Sequence, residues 1–266
     1  MSINTIRIGT LEYLAADNIA AAHCFTTRLG GVSSDYLSSL NLGAHRGDSP
    51  ENIEKNFRIL SDALGFDPKK LVLTRQTHSD IVRQVCNKDH ISFDNHDYPE
   101  CDALITGDPG TALVVFSADC TPILLHDPVT GAVGAAHAGW RGTAAGIAAK
   151  TVAAMVEAFG CKPENIRCAI GPNIAQCCFQ TDADVPDVMV AALGEQALPH
   201  IRPSGNKYYV NLKELNALYL RNAGVRSIEI STDCTACQSQ RFWSHRITGG
   251  QRGSQGAIIV CKEAQP

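Results

Sequence analysis

The stretch Val114–Gly142, VVFSADCTPILLHDPVTGAVGAAHAGWRG, constrains the fold of this chain more than any other. Its apolar runs are broken by one strong turn signal, Asp127-Pro128-Val129-Thr130-Gly131. The pattern predicts a strand ending at Cys120, a second ending at His126 and a third ending at His137. With His126 opposite Gly131, paired residue numbers in an antiparallel hairpin keep a constant sum, and Cys120 falls across from His137. A thiol and an imidazole then meet at one end of the hairpin. A slip of one residue would send them to opposite faces of the sheet, so the register is an expectation for the structure to test.

Around this hairpin lie 266 residues, 44% of them apolar, enough for one large domain or two small ones with a proper core. No internal repeat, low-complexity tract or linker divides the chain, so a single domain spanning residues 1–266 is expected. The net charge of -4 leaves no basic surplus to neutralise a phosphate backbone, which argues against nucleic acid as a partner. A small anionic substrate would need only a local pocket of Arg. The N-terminal residues show no basic region followed by an apolar segment and cleavage site, and no uncharged apolar run is long enough to cross a bilayer. A cytoplasmic protein with no membrane partner is expected. Eleven cysteines in a chain of this length do not read as a disulfide framework, and Cys24, Cys86, Cys161, Cys168 and Cys261 sit in or beside strand-like runs as packing residues.

Ile6–Ile8 and Ala20–Thr27 alternate as strands, the second leading into Arg28-Leu29-Gly30-Gly31, where backbone N–H groups and a guanidinium could face one anion. The same residues also read as a glycine turn with a surface Arg. A long ordered loop carrying His45 follows. Ser49 and Pro50 open a helix whose apolar stripe is Ile53, Phe57, Leu60 and Leu64, closed by Gly65. Strands over 71–76 and 81–85 flank Thr77-His78-Ser79-Asp80 and place His78 at a strand end or hairpin tip. Residues 87–99, with His90 and His96 among acids, read as a solvated loop.

After His137, Gly139-Trp140-Arg141-Gly142 feeds a helix over about 144–159, stopped by Gly160, with Arg141 beside the free N–H groups of its start. The spacing there matches neither a Walker A nor a dinucleotide fingerprint. Residues 165–170 form a strand. Cys177-Cys178 are expected to be two reduced thiols pointing opposite ways, because neighbouring cysteines bond each other only with strain. Helices over 185–193 and from an Asn211 cap to Ala223, and strands over 225–231 and 256–260, complete the chain. Cys234-Thr235-Ala236-Cys237 is a C-x-x-C without a second such pair or an H-x-x-x-H nearby to complete four ligands, and is read as structural thiols near a pocket.

His78, Cys120 and His137 are the residues to bring together. Two imidazoles and a thiolate suit zinc, and three protein ligands leave a fourth, open position, the mark of a catalytic zinc that acidifies its bound water. Two other readings stay open: Cys120 as a buried strand residue with each His an isolated polar one, or a Cys120–His137 pair in which the thiolate attacks a carbonyl.

The strings GGVSSDYLSSLNLGAHRGD, RQTHSD, FSADCTPILLHD, AAHAGWRG, IGPNIAQCC, CTAC and RFWSHR together resemble the laccase-domain family, also called multicopper polyphenol oxidoreductases, in the same order across nearly the whole chain. The resemblance implies an α+β fold of mixed β-sheets flanked by helices in a single YfiH-like domain, with zinc held by His78, Cys120 and His137. It also implies phosphorolysis of adenosine, inosine and methylthioadenosine with phosphate, and deamination of adenosine. Phe179-Gln180-Thr181 and Trp243-Ser244-His245-Arg246-Ile247 depart from the aromatic-Glu-Val and FFSYRR of the family, which bears on substrate preference.

The laccase label fits the residues badly: none of the nine histidines forms an H-x-H pair, so copper would be an adventitious occupant of the zinc ligands. The H-x-E and P-C-x-x-C signature of other zinc deaminases is missing, and Asp119 beside Cys120 is the candidate acid/base. Arg28 with Gly30 and Gly31, His45 and Arg141 are expected near the phosphate or the ribose. The competing functions are a metal-free Cys-His hydrolase acting in peptidoglycan editing and a metal- or thiol-binding protein without turnover.

Overall fold

The computed structural model describes residues 2–90 and 98–262. In chain order, β1 (Ile3–Ile8), β2 (Leu11–Ala16) and β3 (His23–Thr26) precede α1 (Pro50–Leu64). Six strands follow: β4 (Leu71–Leu73), β5 (Val82–Gln84), β6 (Ala103–Thr106), β7 (Ala112–Ser117), β8 (Thr121–His126) and β9 (Val133–Ala138). Then come α2 (Trp140–Ala144), α3 (Ile147–Phe159), β10 (Arg167–Ile170), β11 (Gln180–Thr181) and α4 (Asp184–Leu193). The chain ends with β12 (Ile201–Ser204), β13 (Lys207–Val210), α5 (Leu212–Asn222), β14 (Ser227–Ile230), α6 (His245–Thr248) and β15 (Gln255–Val260).

Two six-stranded sheets, ordered β1-β2-β3-β15-β7-β4 and β14-β10-β8-β9-β6-β5, lie face to face, and β11-β13-β12 form a small third sheet. Most neighbours are antiparallel, while β4 with β7, β5 with β6 and β10 with β14 run parallel. This is an α+β fold. The inner faces share one core, in which Phe25, Leu113, Val115 and Ile259 of the first sheet meet Leu104, Leu124, Ala135 and Ala169 of the second. α1 covers the outer face of the first sheet through Ile53, Phe57 and Leu60, and α3 and α5 cover that of the second through Ile147, Val152, Met155, Ala217 and Leu220. Burying each of the larger of these side chains stabilises the layer by about 1.5–3 kcal/mol, and Ala217 contributes less. No helix among the described residues is long and apolar enough to cross a membrane.

Local signals set several boundaries. Ser49 accepts a hydrogen bond from the Asn52 N–H, Pro50 occupies the first helical position and Gly65 closes α1 at φ 73. Asn211 caps α5 by accepting from Glu214 N–H.

Elsewhere the structure corrects the sequence. β7 ends at Ser117, and β7 and β8 belong to different sheets, so residues 118–120 carry the chain from one sheet to the other. The hairpin of β8 and β9 pairs His126 with Val133 and Pro122 with His137. The register is displaced by two residues because the turn is longer: Asp127 N–H bonds Ala132 O, Gly131 N–H bonds Asp127 O, and the Asp127 carboxylate accepts Val129 N–H. A shift of two preserves the face, so Cys120, one step beyond the Thr121–Ala138 pair, remains on the side of His137. The single helix expected over 144–159 is two, broken at Gly146 with φ 76. His90 Nε2 is 2.9 Å from Thr111 Oγ1, and His96, with the rest of residues 91–97, lies outside the described residues.

Candidate metal and active site

Both crossings from the first sheet to the second open on one seam. The first crossing, between β4 and β5, carries His78, and the second, between β7 and β8, carries Asp119 and Cys120. His78 and Asp119 are two of the three described non-glycine residues with positive φ, at 61° and 84°. A left-handed backbone at such residues costs on the order of 1–3 kcal/mol and persists only where the surroundings impose it.

At His78 the imposing group is Asp102, a fully buried carboxylate at the foot of β6. It accepts Thr77 N–H (3.1 Å), His78 N–H (3.1 Å), Ser79 N–H (2.7 Å), Ser79 Oγ–H (2.7 Å) and His137 Nδ1–H (2.8 Å). One side chain therefore folds the His78 turn and orients the His137 ring from behind. At Asp119 the carboxylate accepts Thr235 Oγ1–H (2.6 Å), Ser244 Oγ–H (3.1 Å) and Arg246 N–H (2.7 Å).

With Nδ1 of His137 committed to Asp102, its Nε2 is left to face Cys120. Cys120 Sγ is 3.8 Å from His78 Nε2, the two imidazole rings stand edge to face with centroids 5.1 Å apart, and the three ligand atoms all lie within 4.8 Å of one another. A nitrogen and a sulfur bound to one tetrahedral zinc are separated by roughly 3.5 Å, so the three atoms fit around a single ion. Gly139 makes the closeness feasible: a Cβ there would stand 2.7 Å from His78 Cδ2 and 3.4 Å from Cys120 Sγ. The donor set and its carboxylate-backed His fit zinc with an open position.

The electrostatics agree. Burial would push the Cys120 thiol up, but the charge and hydrogen bond of His137, with the hydrogen bond of His78, bring it down to about 6. Burial opposes the His137 charge, yet Cys120 and Asp102 raise its pKa to about 9. Asp102, also opposed by burial, is held down at about 2 by His137 and Ser79.

His78, Cys120 and His137 form part of the wall of a cavity of about 510 Å³, a size suited to a small organic molecule. Leu42, Ile53, Phe57 and Phe116 make an apolar side, and His45, Arg46, Gln76 and Arg252 a polar one. Burial and the neighbouring Arg46 lower the pKa of Arg252 to about 10, a repulsion that an anion between the two guanidiniums would relieve.

Of the residues expected near substrate or proton transfer, His45 lines this cavity, and Arg28, Arg141 and Asp119 do not. Arg28 is outside the cavity wall: it donates to Ser38 O and Ser239 O and stacks 3.9 Å from the Trp243 ring centroid. Arg141 is exposed and stacks 4.1 Å from the Trp140 ring centroid. Asp119 is also absent from the wall, and its carboxylate is taken up by hydrogen bonds to neighbouring loops. The sequence reading missed Arg46, Arg252 and Asp102. For Arg252 the one available signal in the sequence was the clustering of Arg241, Arg246 and Arg252 within twelve residues.

Residues 22–262 match the family model described as multi-copper polyphenol oxidoreductase laccase. A purine nucleoside phosphorylase YlmD of Geobacillus stearothermophilus is 38% identical over 245 residues, covering 90% of this chain and 89% of that protein. A purine nucleoside phosphorylase of Deinococcus radiodurans is 37% identical over 250 residues, covering 94% and 92%. The crystal structure of YlmD from G. stearothermophilus superposes with a TM-score of 0.91 at 35% identity, covering 97% of this chain and 99% of that one.

Proposed function

The chain belongs to the multi-copper polyphenol oxidoreductase laccase family, and we propose that it is a zinc-dependent purine nucleoside phosphorylase of the cytosol, folded as a single domain. Its substrates in this reading are adenosine, inosine and methylthioadenosine, split by phosphate to the free base and ribose 1-phosphate, with deamination of adenosine as a second activity. The naming of its relatives supports the phosphorylase class. The observation that carries the reading is the convergence of His78, Cys120 and His137 on a cavity that also holds Arg46 and Arg252.

Bound by those three residues, zinc would supply Lewis acidity and an acidified water at one end of the cavity. The chain's own side chains do the rest. Arg46 and Arg252 hold the phosphate dianion and align it with the ribose, neutralising charge as the glycosidic bond opens. The apolar side with Leu42, Phe57 and Phe116 receives the purine and excludes water. His45 faces the ribose and is the cavity imidazole placed to move a proton. Asp102 keeps the His137 Nδ1 protonated and its Nε2 free to ligate. Asp119 fixes the turn that presents Cys120, a positioning role in place of the acid/base role expected from the sequence.

Chromatographic analysis of products from adenosine, with and without phosphate and after chelation, tests this. Adenine and ribose 1-phosphate should form only with phosphate and vanish with the metal. Inosine without adenine would leave a zinc deaminase, and no product from zinc-loaded protein would refute both.

One observation favours a second reading, the Cys-His hydrolase. A thiol lowered to about 6 beside His137, itself bonded to Asp102, is also the arrangement of an activated nucleophile. That enzyme would keep its activity in chelator and lose it to thiol alkylation.

A further inference from the structure

The vicinal cysteines do not diverge as the sequence led us to expect, nor does the C-x-x-C lack partners. Cys177 Sγ lies 3.8 Å from Cys178 Sγ and 3.6 Å from Cys237 Sγ, Cys178 Sγ lies 3.3 Å from Cys237 Sγ, and with Cys234 all four sulfurs fall within 4.8 Å of one another. All four are free thiols. We propose that Cys177, Cys178, Cys234 and Cys237 form a second metal centre, a closed four-thiolate zinc site apart from the cavity.

Topology brings them together. β10 and β14 are parallel neighbours, so the loops that follow them leave the same end of the sheet. The first loop makes a helical turn in which Cys178 N–H and Phe179 N–H bond Ala175 O, setting the adjacent thiols on one side. The second is pinned to the first by the Asn173–Cys234 bridge and by Thr235 N–H to Asn173 O at 3.0 Å. No spacing rule joins residues this far apart in sequence, and C-C with C-x-x-C is not a pattern of two matching pairs.

The distances select the chemistry. Sulfurs at the corners of a zinc tetrahedron, each about 2.3 Å from the ion, stand about 3.8 Å apart, and the observed separations centre near that edge. A disulfide needs about 2.05 Å, and no pair approaches it. Four soft thiolates in tetrahedral array suit zinc and leave no open position, unlike the site in the cavity. Ala175 N–H also donates to Cys234 Sγ at 3.3 Å, the kind of bond that steadies a metal-bound thiolate. Cys177 and Cys237 are exposed, so an ion has a way in.

Filling the site would clamp two loops that hold the turn before Cys120. Ile174 N–H bonds Asp119 O at 2.9 Å, Thr235 bonds the Asp119 carboxylate, and Arg246 links Cys178 O to that same carboxylate.

Metal analysis of the full chain, produced with zinc and purified under reductant without chelator, tests the proposal independently of any nucleoside chemistry. Two zinc equivalents per chain are expected in the unmodified protein. One should remain in Cys177→Ser/Cys237→Ser and one in His78→Ala, each variant losing a different ion. Cobalt substituted for zinc should give an intense thiolate charge-transfer absorption, most of which Cys120→Ser keeps and most of which Cys177→Ser/Cys237→Ser loses, the remainder coming from the single thiolate of the cavity site. Should that double variant fail to fold, alkylation of the unmodified protein decides: Cys177 and Cys237 should resist iodoacetamide until chelator is added. A zinc content that Cys177→Ser/Cys237→Ser leaves unchanged, iron in place of the zinc that this variant loses, or immediate alkylation of Cys177 and Cys237 would overturn the assignment.

Discussion

Replacing Asp102 by Asn changes one atom and should dismantle the cavity site. The carboxylate accepts five hydrogen bonds, and an amide can accept only through its oxygen. If the amide nitrogen takes the place of Oδ2, it faces two backbone N–H donors, those of Thr77 and Ser79. The less costly arrangement puts it in the place of Oδ1, which forfeits His78 N–H and opposes His137 Nδ1–H. His137 escapes by moving its proton to Nε2, the nitrogen needed as ligand. Two hydrogen bonds to a charged group at about 1.5–3 kcal/mol each set the loss at roughly 3 kcal/mol or more. An independent route agrees: a carboxyl held at about 2 instead of 3.8 represents roughly 2–3 kcal/mol of stabilisation at neutral pH. Zinc affinity should fall about 10- to 100-fold, as when partners behind metal-bound His are removed. Competition with a chromophoric chelator measures the affinity, and urea unfolding of metal-free protein measures the stability. An Asp102→Asn protein within about threefold of the parent in zinc affinity, and within about 1 kcal/mol in stability, would refute the reasoning.

Gly139→Ala should place its Cβ against the His78 ring, so the variant should fold, by circular dichroism, yet carry less zinc in the cavity. Arg252→Met should raise KM for phosphate about 10-fold or more through loss of a charge-assisted contact, while Arg28→Met should lower stability and leave that KM unchanged, as steady-state kinetics would show. Burial lowers the pKa of His126 to about 4, below its unfolded value near 6.5. The folded state thus binds fewer protons between those values, and the stability contribution is complete above pH 6.5 and declines by roughly 2–3 kcal/mol as pH falls towards 4. Urea midpoints across this range should fall more steeply for the parent than for His126→Gln.

What could be read from the sequence was what neighbouring residues decide. Ser49-Pro50 and Gly65 bound α1, and Asn211 opens α5, because caps act over one turn of helix. The meeting of Cys120 with His137 survived an error of two in register because the turn's extra residues came as a pair and strand faces alternate with period two. What stayed hidden depends on distant partners. Asp102 looks like any acid at a strand start until five donors close on it. Arg28 and Arg252 are alike in sequence, yet the carbonyls of Ser38 and Ser239 take up one and the cavity receives the other. The β11–β13–β12 sheet is made of strands too short, one containing Pro203, to show a period.

Because His78 and Cys120 both sit where the chain passes between the two large sheets, the His78 segment is tied to both: Gln76 bonds the Phe116 backbone of β7 in the first, and Asp102 at the foot of β6 in the second holds the His78 turn. An ion held as proposed by His78, Cys120 and His137 would fix the His78 segment and so favour the docked arrangement, in which both ties are made. An ion that binds the docked state alone stabilises docking by RT ln(1 + [metal]/Kd), so hydrogen-exchange protection should rise with metal concentration in strands of both sheets in parallel, including β1 at the far edge of the first. Variation deep in the sandwich would then act as a tuning of metal affinity, and metal supply would become a determinant of how long the chain escapes proteolysis.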